Sequence, residues 1–304
     1  MQPLPDFPPL SQAAFADLRQ ATGTPFVMRG QAAHWPAVRA GLCGAGPACA
    51  YLAHYANDGE AEFWIGDPGI DGRFAYNADL TDCNFARAKA SVPTILQLLM
   101  TAMASEEAPS IFAGAINIAT CLPGLEPEVA MPLLRPAQPR RASLWMGTPG
   151  KTSAHWDYAE NLACPILGRR TFLLFPIDQL PNMYMGPLDR TPAGQPISLV
   201  HCEAPDLERH PRFAEALNHG FIAELNPGDV LYIPSMWLHH VVSSGAVGAQ
   251  INFWWHEGQH NRGQPLAAIR QAIRALDGAS AEEISAWKTV FDVYVTDRGG
   301  IAEN

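Results

Sequence analysis

The fold of this chain is decided by the stretch Thr152-Ser-Ala-His155-Trp-Asp157-Tyr-Ala-Glu-Asn161, which is followed by Gly168-Arg-Arg170-Thr-Phe-Leu-Leu-Phe-Pro176. If residues 154–158 are extended, His155 and Asp157 project from the same face of a strand, because side chains alternate with a period of two. An imidazole and a carboxylate on one face are two of the three ligands of the 2-His-1-carboxylate facial triad, which holds non-haem Fe(II). The stretch therefore predicts a metal site that needs a third ligand.

A second stretch offers that ligand: Pro227-Gly-Asp-Val-Leu-Tyr-Ile-Pro234-Ser-Met-Trp237-Leu-His239-His240-Val241. Its turn, apolar strand and second turn deliver two adjacent histidines. Neighbouring residues of a strand point to opposite faces, so only one of the two can reach the metal, and periodicity alone does not choose between them. An isolated His-x-Asp triplet is a weak signal because short motifs carry a false-positive risk, but the joint pattern of both stretches is much stronger.

The joint pattern consists of His-x-Asp, a Gly-basic-aromatic strand, Pro-Gly-Asp, Ile-Pro, Trp-x-His and a closing Asn-Phe-Trp-Trp strand. Here the chain resembles the JmjC and cupin-like family of Fe(II)- and 2-oxoglutarate-dependent oxygenases, especially the group that includes the asparaginyl hydroxylase of the hypoxia-inducible factor. The resemblance covers most of residues 1–256 and is most specific over 143–255. It implies that His155, Asp157 and His239 ligate the iron, because the metal histidine of that family follows Trp-x.

The resemblance also implies 2-oxoglutarate as cosubstrate and O₂ as oxidant, with four further residues around the cosubstrate. Thr152 matches the hydroxyl donor to its distal carboxylate, and Asn161 and Asn252 match amides near its metal-bound end. Arg170 stands where the related hydroxylases carry a lysine. Arginine can grip a carboxylate with two hydrogen bonds, so the role is preserved while the geometry changes.

Two further positions, 169 and 112, also give predictions. Arg169 should face away from Arg170, towards solvent. A tyrosine that the family often places near residues 110–113 is replaced by Phe112, so one hydrogen bond to the cosubstrate is predicted to be missing or to come from Ser110.

Composition bounds the class of protein. The chain has 304 residues, 48% of them hydrophobic, which is enough for one large domain or a domain with an appendage. A formal net charge of −10 argues against a nucleic-acid partner.

Six cysteines at irregular spacings, without a Cys-x-x-Cys pair, indicate reduced thiols. No apolar run reaches the roughly 18 residues of a membrane span and no leader pattern is present, so a cytoplasmic protein without membrane association is predicted.

Between residues 142 and 255, short apolar runs alternate with turn residues, which is typical of a sandwich or barrel of β-strands. The resemblance implies a mainly β fold: a double-stranded β-helix (jelly-roll, cupin) core with flanking helices and a C-terminal helical pair. Residues 11–21 are predicted to form a helix capped by Ser11. The aromatic strands 62–66 and 73–77 are predicted to pair as a hairpin, in which Tyr76 and Asn77 serve packing rather than a substrate cleft.

Two domains are expected, a jelly-roll domain over 1–260, including its N-terminal elaboration, and a helical extension over 261–304. The extension contains an apolar stripe over 265–276 and a second helix that begins at the capping box Ser280-Ala-Glu-Glu283. Such a pair must bury its apolar stripe, either on the barrel or on a second subunit. Homodimerisation through these helices is therefore a hypothesis.

The predicted function is a 2-oxoglutarate-dependent dioxygenase that hydroxylates a protein side chain or a small molecule and releases succinate and CO₂. If the hydroxylated carbon lies beside a nitrogen, the outcome becomes demethylation, and the sequence does not decide between these products. Among substrates, a protein side chain ranks first, a small molecule second and RNA last. The alternative from another class is a metal-binding cupin without redox turnover, either an isomerase or a binding module.

Overall fold

The computed structural model describes residues 1–105, 107–135, 138, 140–256 and 265–297. The chain forms two compact units, Met1–Gly258 and Gln259–Asn304. Within the described ranges, no helix combines the length and the apolar character that a membrane crossing requires.

The first unit is built around one large β-sheet, and helices flank it. The described part of the chain contributes thirteen strands, whose main hydrogen-bonded order is β2-β3-β12-β10-β13-β8-β7-β4-β6. Strand β11 pairs with β1 and β10, and β9 pairs with β13 and β5. This architecture confirms the predicted jelly-roll class. The strands are β1 Gln2–Pro3, β2 Asp6–Phe7, β3 Phe26–Met28, β4 Glu60–Gly66, β5 Arg73–Phe74, β6 Phe85–Ser91, β7 Ser110–Asn117, β8 Arg140–Gly147, β9 Gly150–His155, β10 Glu160–Phe175, β11 Phe221–Leu225, β12 Val230–Ile233 and β13 Leu238–Trp255.

Two of the helices begin at a serine cap. The Ser11 hydroxyl accepts a hydrogen bond from the Ala14 N–H at 3.3 Å, which confirms the predicted cap of the first helix. The Ser280 hydroxyl likewise accepts from the Glu283 N–H at 3.2 Å. The helices are α1 Gln12–Thr22, α2 Pro36–Leu42, α3 Ala45–Tyr55, α4 Val92–Ala102, α5 Ile118–Cys121, α6 Phe213–His219, α7 Pro265–Ala275 and α8 Ala281–Phe291.

The N-terminal helices and the sheet enclose one apolar core. Helix α4 buries Val92, Ile95 and Leu99 completely. Trp35 is also buried, and its indole N–H donates to the Ala130 carbonyl at 3.1 Å, so its one polar atom is satisfied. The same core includes Leu162 of β10 and Ile251 of β13.

The predicted hairpin between residues 62–66 and 73–77 is wrong. Strand β4 pairs with β6 and β7, whereas β5 runs parallel to β9, with Arg73 beside Lys151 and Phe74 beside Thr152. Between them the chain takes a 3₁₀ turn, Pro68–Ile70, and the Gly72 carbonyl then accepts from the Lys151 N–H at 2.9 Å. The linker thus carries β5 across to the strand that holds Thr152.

The long strands β10 and β13 form the ladder on which the site is mounted. Their antiparallel register places Asn161 opposite Trp254, Arg170 opposite Ser243 and Leu174 opposite His239. Register shifts on either side of Leu167 bend β10 in the middle of the ladder. One continuous pair of strands therefore carries side chains for both ends of a pocket.

The second unit contains α7 and α8, and α8 continues into a short π-helical turn, Asp292–Thr296. Exposed large apolar side chains are frequent on these elements: Ile269, Ile273, Ile284, Trp287, Val290, Phe291, Val293, Tyr294 and Val295.

Candidate metal centre and adjoining pocket

His155, Asp157 and His239 form the one cluster of three potential metal ligands found among the described residues. One ligand atom from each lies within 4.8 Å of the others. The His239 Nε2 atom is 3.8 Å from the Asp157 Oδ2 atom, and the two imidazole centroids are 4.4 Å apart. Two imidazoles and one carboxylate that converge in this way fit the donor set of a non-haem Fe(II) site.

Both imidazoles are held in the tautomer that a metal ligand requires. The Nδ1 atom of His155 lies 2.9 Å from the Ser153 carbonyl, and that of His239 lies 3.0 Å from the Trp237 carbonyl. A carbonyl only accepts, so each Nδ1 carries the proton and each Nε2 keeps its lone pair. Burial first, and the nearby His155 ring second, lower the pKa of His239 to about 4, so its neutral form is favoured.

The carboxylate reaches the site from a turn rather than from a strand. Strand β9 ends at His155, so the predicted extended stretch stops two residues before Asp157. The Met236 N–H donates to the Asp157 carbonyl at 2.8 Å, and the Ser235 hydroxyl donates to the Tyr158 carbonyl at 2.8 Å. These two bonds fasten the turn that bears Asp157 to the turn that leads into His239.

The two adjacent histidines face opposite sides of β13. His239 lines the pocket, whereas His240 is fully buried on the other side, where its Nε2 atom lies 3.1 Å from the Glu203 carboxylate. Arg73 Nη1 and Lys151 Nζ approach the same carboxylate at 3.8 and 4.0 Å. Burial raises the pKa of Glu203, but the close His240 imidazole, the Glu203 backbone N–H and the charge of Arg73 outweigh it and lower that pKa to about 2.

A β-bulge lets Thr152 and His155 face the same pocket although they lie an odd number of residues apart. The ladder pairs His239 with His155 and Val241 with Thr152, so one intervening residue of β13 faces two of β9. A regular strand would send Thr152 and His155 to opposite faces, and the extra residue corrects the alternation.

Arg170 is a buried cation without a described acidic partner. It is 6% exposed, and its Nε atom has no acceptor among the described residues. Burial lowers its pKa to about 10, and no charged neighbour contributes to that shift. A guanidinium kept charged in this environment at neutral pH can bind an anion. Its neighbour Arg169 is exposed, as expected from alternation.

A glycine, Gly248, keeps space beside the guanidinium. Gly248 and Gly147 face each other across β13 and β8. A Cβ atom on Gly248 would lie 2.4 Å from the Ser243 hydroxyl and 3.3 Å from the Arg170 Nη2 atom. A side chain at this position would therefore displace the Ser243 hydroxyl and crowd the guanidinium.

All seven residues predicted for the site line one pocket: Thr152, His155, Asp157, Asn161, Arg170, His239 and Asn252. Sequence reasoning did not identify the other side chains of its wall, Trp145, Phe172, Val241, Gln250 and Trp254. Gln250 and Trp254 could have been found, since they lie two residues before and after Asn252 on one strand and so share its face. The three potential metal ligands and the buried cation line one pocket, which continues past Thr152 and Arg170 towards Lys151.

Phe112 also lines this pocket, in the place where a tyrosine was expected. Its ring begins an aromatic wall, with the Trp145 ring centred 5.8 Å away and the Trp254 ring 5.5 Å beyond that. Ser110, the other candidate for the missing hydrogen bond, accepts from the Gly72 N–H at 3.0 Å outside the pocket lining. Tyr76 donates to the Pro187 carbonyl at 3.0 Å, so it packs against the chain there and not in the hairpin predicted for it.

Three buried amides form a chain along the pocket wall. Gln250 Nε2 donates to Asn252 Oδ1 at 2.7 Å, and Asn252 Nδ2 donates to Asn161 Oδ1 at 2.8 Å. The chain crosses from β13 to β10 and ends at Asn161, which lines the same pocket as the three potential metal ligands.

Comparison with known proteins places this site within a family. The cupin-like domain family matches residues 12–261. HSPB1-associated protein 1 from Bos taurus is 34% identical over 145 residues, which are 46% of this chain and 29% of that protein. Lysine-specific demethylase JMJ31 from Arabidopsis thaliana is 32% identical over 114 residues, 37% of this chain and 20% of that protein. tRNA wybutosine-synthesizing protein 5 from Gallus gallus is 31% identical over 134 residues, 41% of this chain and 39% of that protein. The matched part is thus well under half of each relative.

Proposed function

The chain belongs to the cupin-like domain family, and from that premise we propose that it is an Fe(II)- and 2-oxoglutarate-dependent oxygenase. In the balanced reaction, R–H, O₂ and 2-oxoglutarate give R–OH, succinate and CO₂, so one oxygen atom enters each organic product. His155, Asp157 and His239 would hold the iron, and Thr152, Arg170, Asn161 and Asn252 would hold the cosubstrate. When bound, the iron and the cosubstrate supply the oxidation itself.

The observation that carries the proposal is the buried Arg170. A cation with no described acidic partner destabilises a fold unless a ligand neutralises it. It shares a pocket with two imidazoles and a carboxylate. In 2-oxoglutarate, the keto-acid group could chelate a metal held by these three side chains, and the distal carboxylate could bind the guanidinium. A cupin without redox turnover, the alternative considered from sequence, would need a different anionic ligand to neutralise this cation.

The remaining pocket residues position the cosubstrate and exclude water. The Thr152 hydroxyl lines the pocket next to Arg170 and supplies a second polar contact for the distal carboxylate. The Phe172 and Val241 side chains form the apolar wall between the two ends. Their surface keeps water away from the reacting carbon.

For the substrate, we propose a protein side chain first and a small molecule second. The names of two relatives, HSPB1-associated protein 1 and lysine-specific demethylase JMJ31, support a protein. The name tRNA wybutosine-synthesizing protein 5 points to RNA, but the net charge of −10 does not favour a polyanion. Cytoplasmic localisation remains part of the proposal.

The test is an anaerobic titration of the purified protein with Fe(II) and then 2-oxoglutarate. We expect the visible metal-to-ligand charge-transfer band of a chelated keto acid, and its absence in Asp157→Ala, which lacks the carboxylate ligand. A folded parent protein that binds iron but gives no band would contradict the proposal and favour the non-redox cupin.

We also propose that residues 1–260 form the catalytic domain and that the helical extension 261–304 mediates homodimerisation. The exposed apolar side chains of α7 and α8 support this idea, because such surfaces mark contact sites. In the full chain, Trp287→Asp should convert a dimer to a monomer in light scattering, whereas Leu42→Asp, at another exposed apolar residue, should not. An unchanged dimer in Trp287→Asp would contradict the assignment.

A further inference from the structure

The three amides along the pocket wall are among the most buried polar side chains near the site. Gln250, Asn252 and Asn161 are 7%, 4% and 3% exposed. At this burial a neighbouring amide, and not bulk water, must satisfy each group. The two hydrogen bonds of 2.7 and 2.8 Å therefore tie the orientation of each amide to that of the next.

A chain of three amides has only two directions. In the direction observed, each NH₂ group donates to the next oxygen, starting from Gln250. The unused groups are then the Gln250 Oε1 atom at one end, which is buried without a described partner, and the Asn161 NH₂ at the other. In the reverse direction, Asn161 would present its oxygen to the pocket instead of its NH₂.

We propose that Gln250 is a positioning residue for the cosubstrate, because it sets the direction of this amide chain. By donating to Asn252, it obliges Asn252 to donate to Asn161, and Asn161 then presents N–H groups towards the metal end of the pocket. That end receives the keto-acid group of 2-oxoglutarate under the function proposed above, on which this inference rests. An N–H donor binds a carboxylate, whereas an amide oxygen in the same place repels it.

The hydrogen-bonding capacity of residue 250, rather than its size, should control cosubstrate affinity. Gln250→Glu keeps the shape, but its ionised carboxylate only accepts, so it would reverse the chain and turn the Asn161 oxygen into the pocket. Gln250→Met neither donates nor accepts, so it would leave both directions populated. The apparent affinity for 2-oxoglutarate then falls only in proportion to the fraction of molecules whose amide chain runs in the wrong direction.

The matched control is Ser143→Ala. Ser143 lies directly opposite Asn252 on β8, is fully buried, and its hydroxyl has no described partner. The substitution therefore removes a buried polar atom next to the same amide without changing the direction of the chain.

The experiment measures the dissociation constant of 2-oxoglutarate from the anaerobic charge-transfer band, and the Fe(II) affinity separately. We expect affinity for 2-oxoglutarate to fall about 100-fold in Gln250→Glu and about 3-fold in Gln250→Met, and to stay within 2-fold in Ser143→Ala. Fe(II) affinity should be unchanged in all three variants, which a general loss of structure would not produce.

The ionisation of the introduced carboxyl is followed by infrared difference spectroscopy, and the pH is raised until its carboxylate band appears. The loss of affinity should follow that band, since a protonated carboxyl donates as glutamine does. An ionised variant that binds 2-oxoglutarate within 3-fold of the parent overturns the inference alone. A parent protein without any charge-transfer band overturns the proposed function, and the inference with it.

Discussion

The two faces of the β10–β13 ladder carry the same residue types in different environments. Arg170 and His239 face the pocket, and their immediate neighbours Arg169 and His240 face the other way. Arg169 is solvated and His240 meets Glu203 at 3.1 Å, whereas Arg170 has no described acidic partner and the His239 Nε2 atom points to the other two potential ligands. Residue type does not separate structural from functional groups here. What separates them is whether the protein itself completes their interactions.

The largest expected effect is on metal binding, and it distinguishes His239 from His240. His239→Ala should lower Fe(II) affinity by at least about 100-fold, because only one imidazole and one carboxylate remain. Anaerobic Fe(II) titration measures this loss.

His240→Leu is the matched control on the other face. It should keep Fe(II) affinity but lower the free energy of unfolding by about 2 kcal/mol, because Glu203 loses its contact. Denaturant unfolding of the iron-free protein measures this change. If His240→Leu lost the metal and His239→Ala kept it, the two assignments would be exchanged.

The next expected effect is on cosubstrate binding, and it distinguishes Arg170 from Arg169. Arg170→Ala should weaken 2-oxoglutarate binding about 100-fold, and Arg170→Lys about 10-fold, since lysine keeps the charge but not the two-pronged geometry. Arg169→Ala should bind like the parent. Titration of the charge-transfer band at fixed Fe(II) gives all three constants, and equal losses in both alanine variants would show a general electrostatic effect instead of a binding site.

The smallest expected effect comes from adding a hydroxyl group on the pocket side of the sheet. Phe112→Tyr places a hydroxyl in the pocket near Thr152 and Arg170, and we expect 2-oxoglutarate to bind about 3-fold more tightly. The same titration measures this gain. Weaker binding would mean that the pocket is already filled at this position and that no hydrogen bond is missing.

The jelly-roll class and the choice of His239 over His240 came from the family resemblance. Local patterns, namely period-two alternation and turn residues, were sufficient to predict a sandwich or barrel of strands and to place His155 and Asp157 on one face, although Asp157 lies two residues beyond the end of β9. The Ser11 and Ser280 caps were predictable for the same reason, since a cap involves residues three apart.

The features that sequence reasoning missed depend on contacts between distant residues. The pairing of β5 with β9 joins residues nearly eighty positions apart, and no local pattern in residues 62–77 records it. Arg170 was identified, but its isolation from acidic partners was not, because that requires the positions of all its neighbours. The direction of the Gln250 amide chain is of the same kind, since it emerges only when two strands are paired.

The bulge in β9 makes the spacing between Thr152 and His155 less strict than their shared pocket suggests. Deleting the codon of Ser153 or Ala154 would remove the extra residue and leave Thr152 and His155 two positions apart. Regular alternation would then keep both side chains on the pocket face without a bulge. Related genes that keep both side chains in the pocket should therefore carry either one or two residues between them.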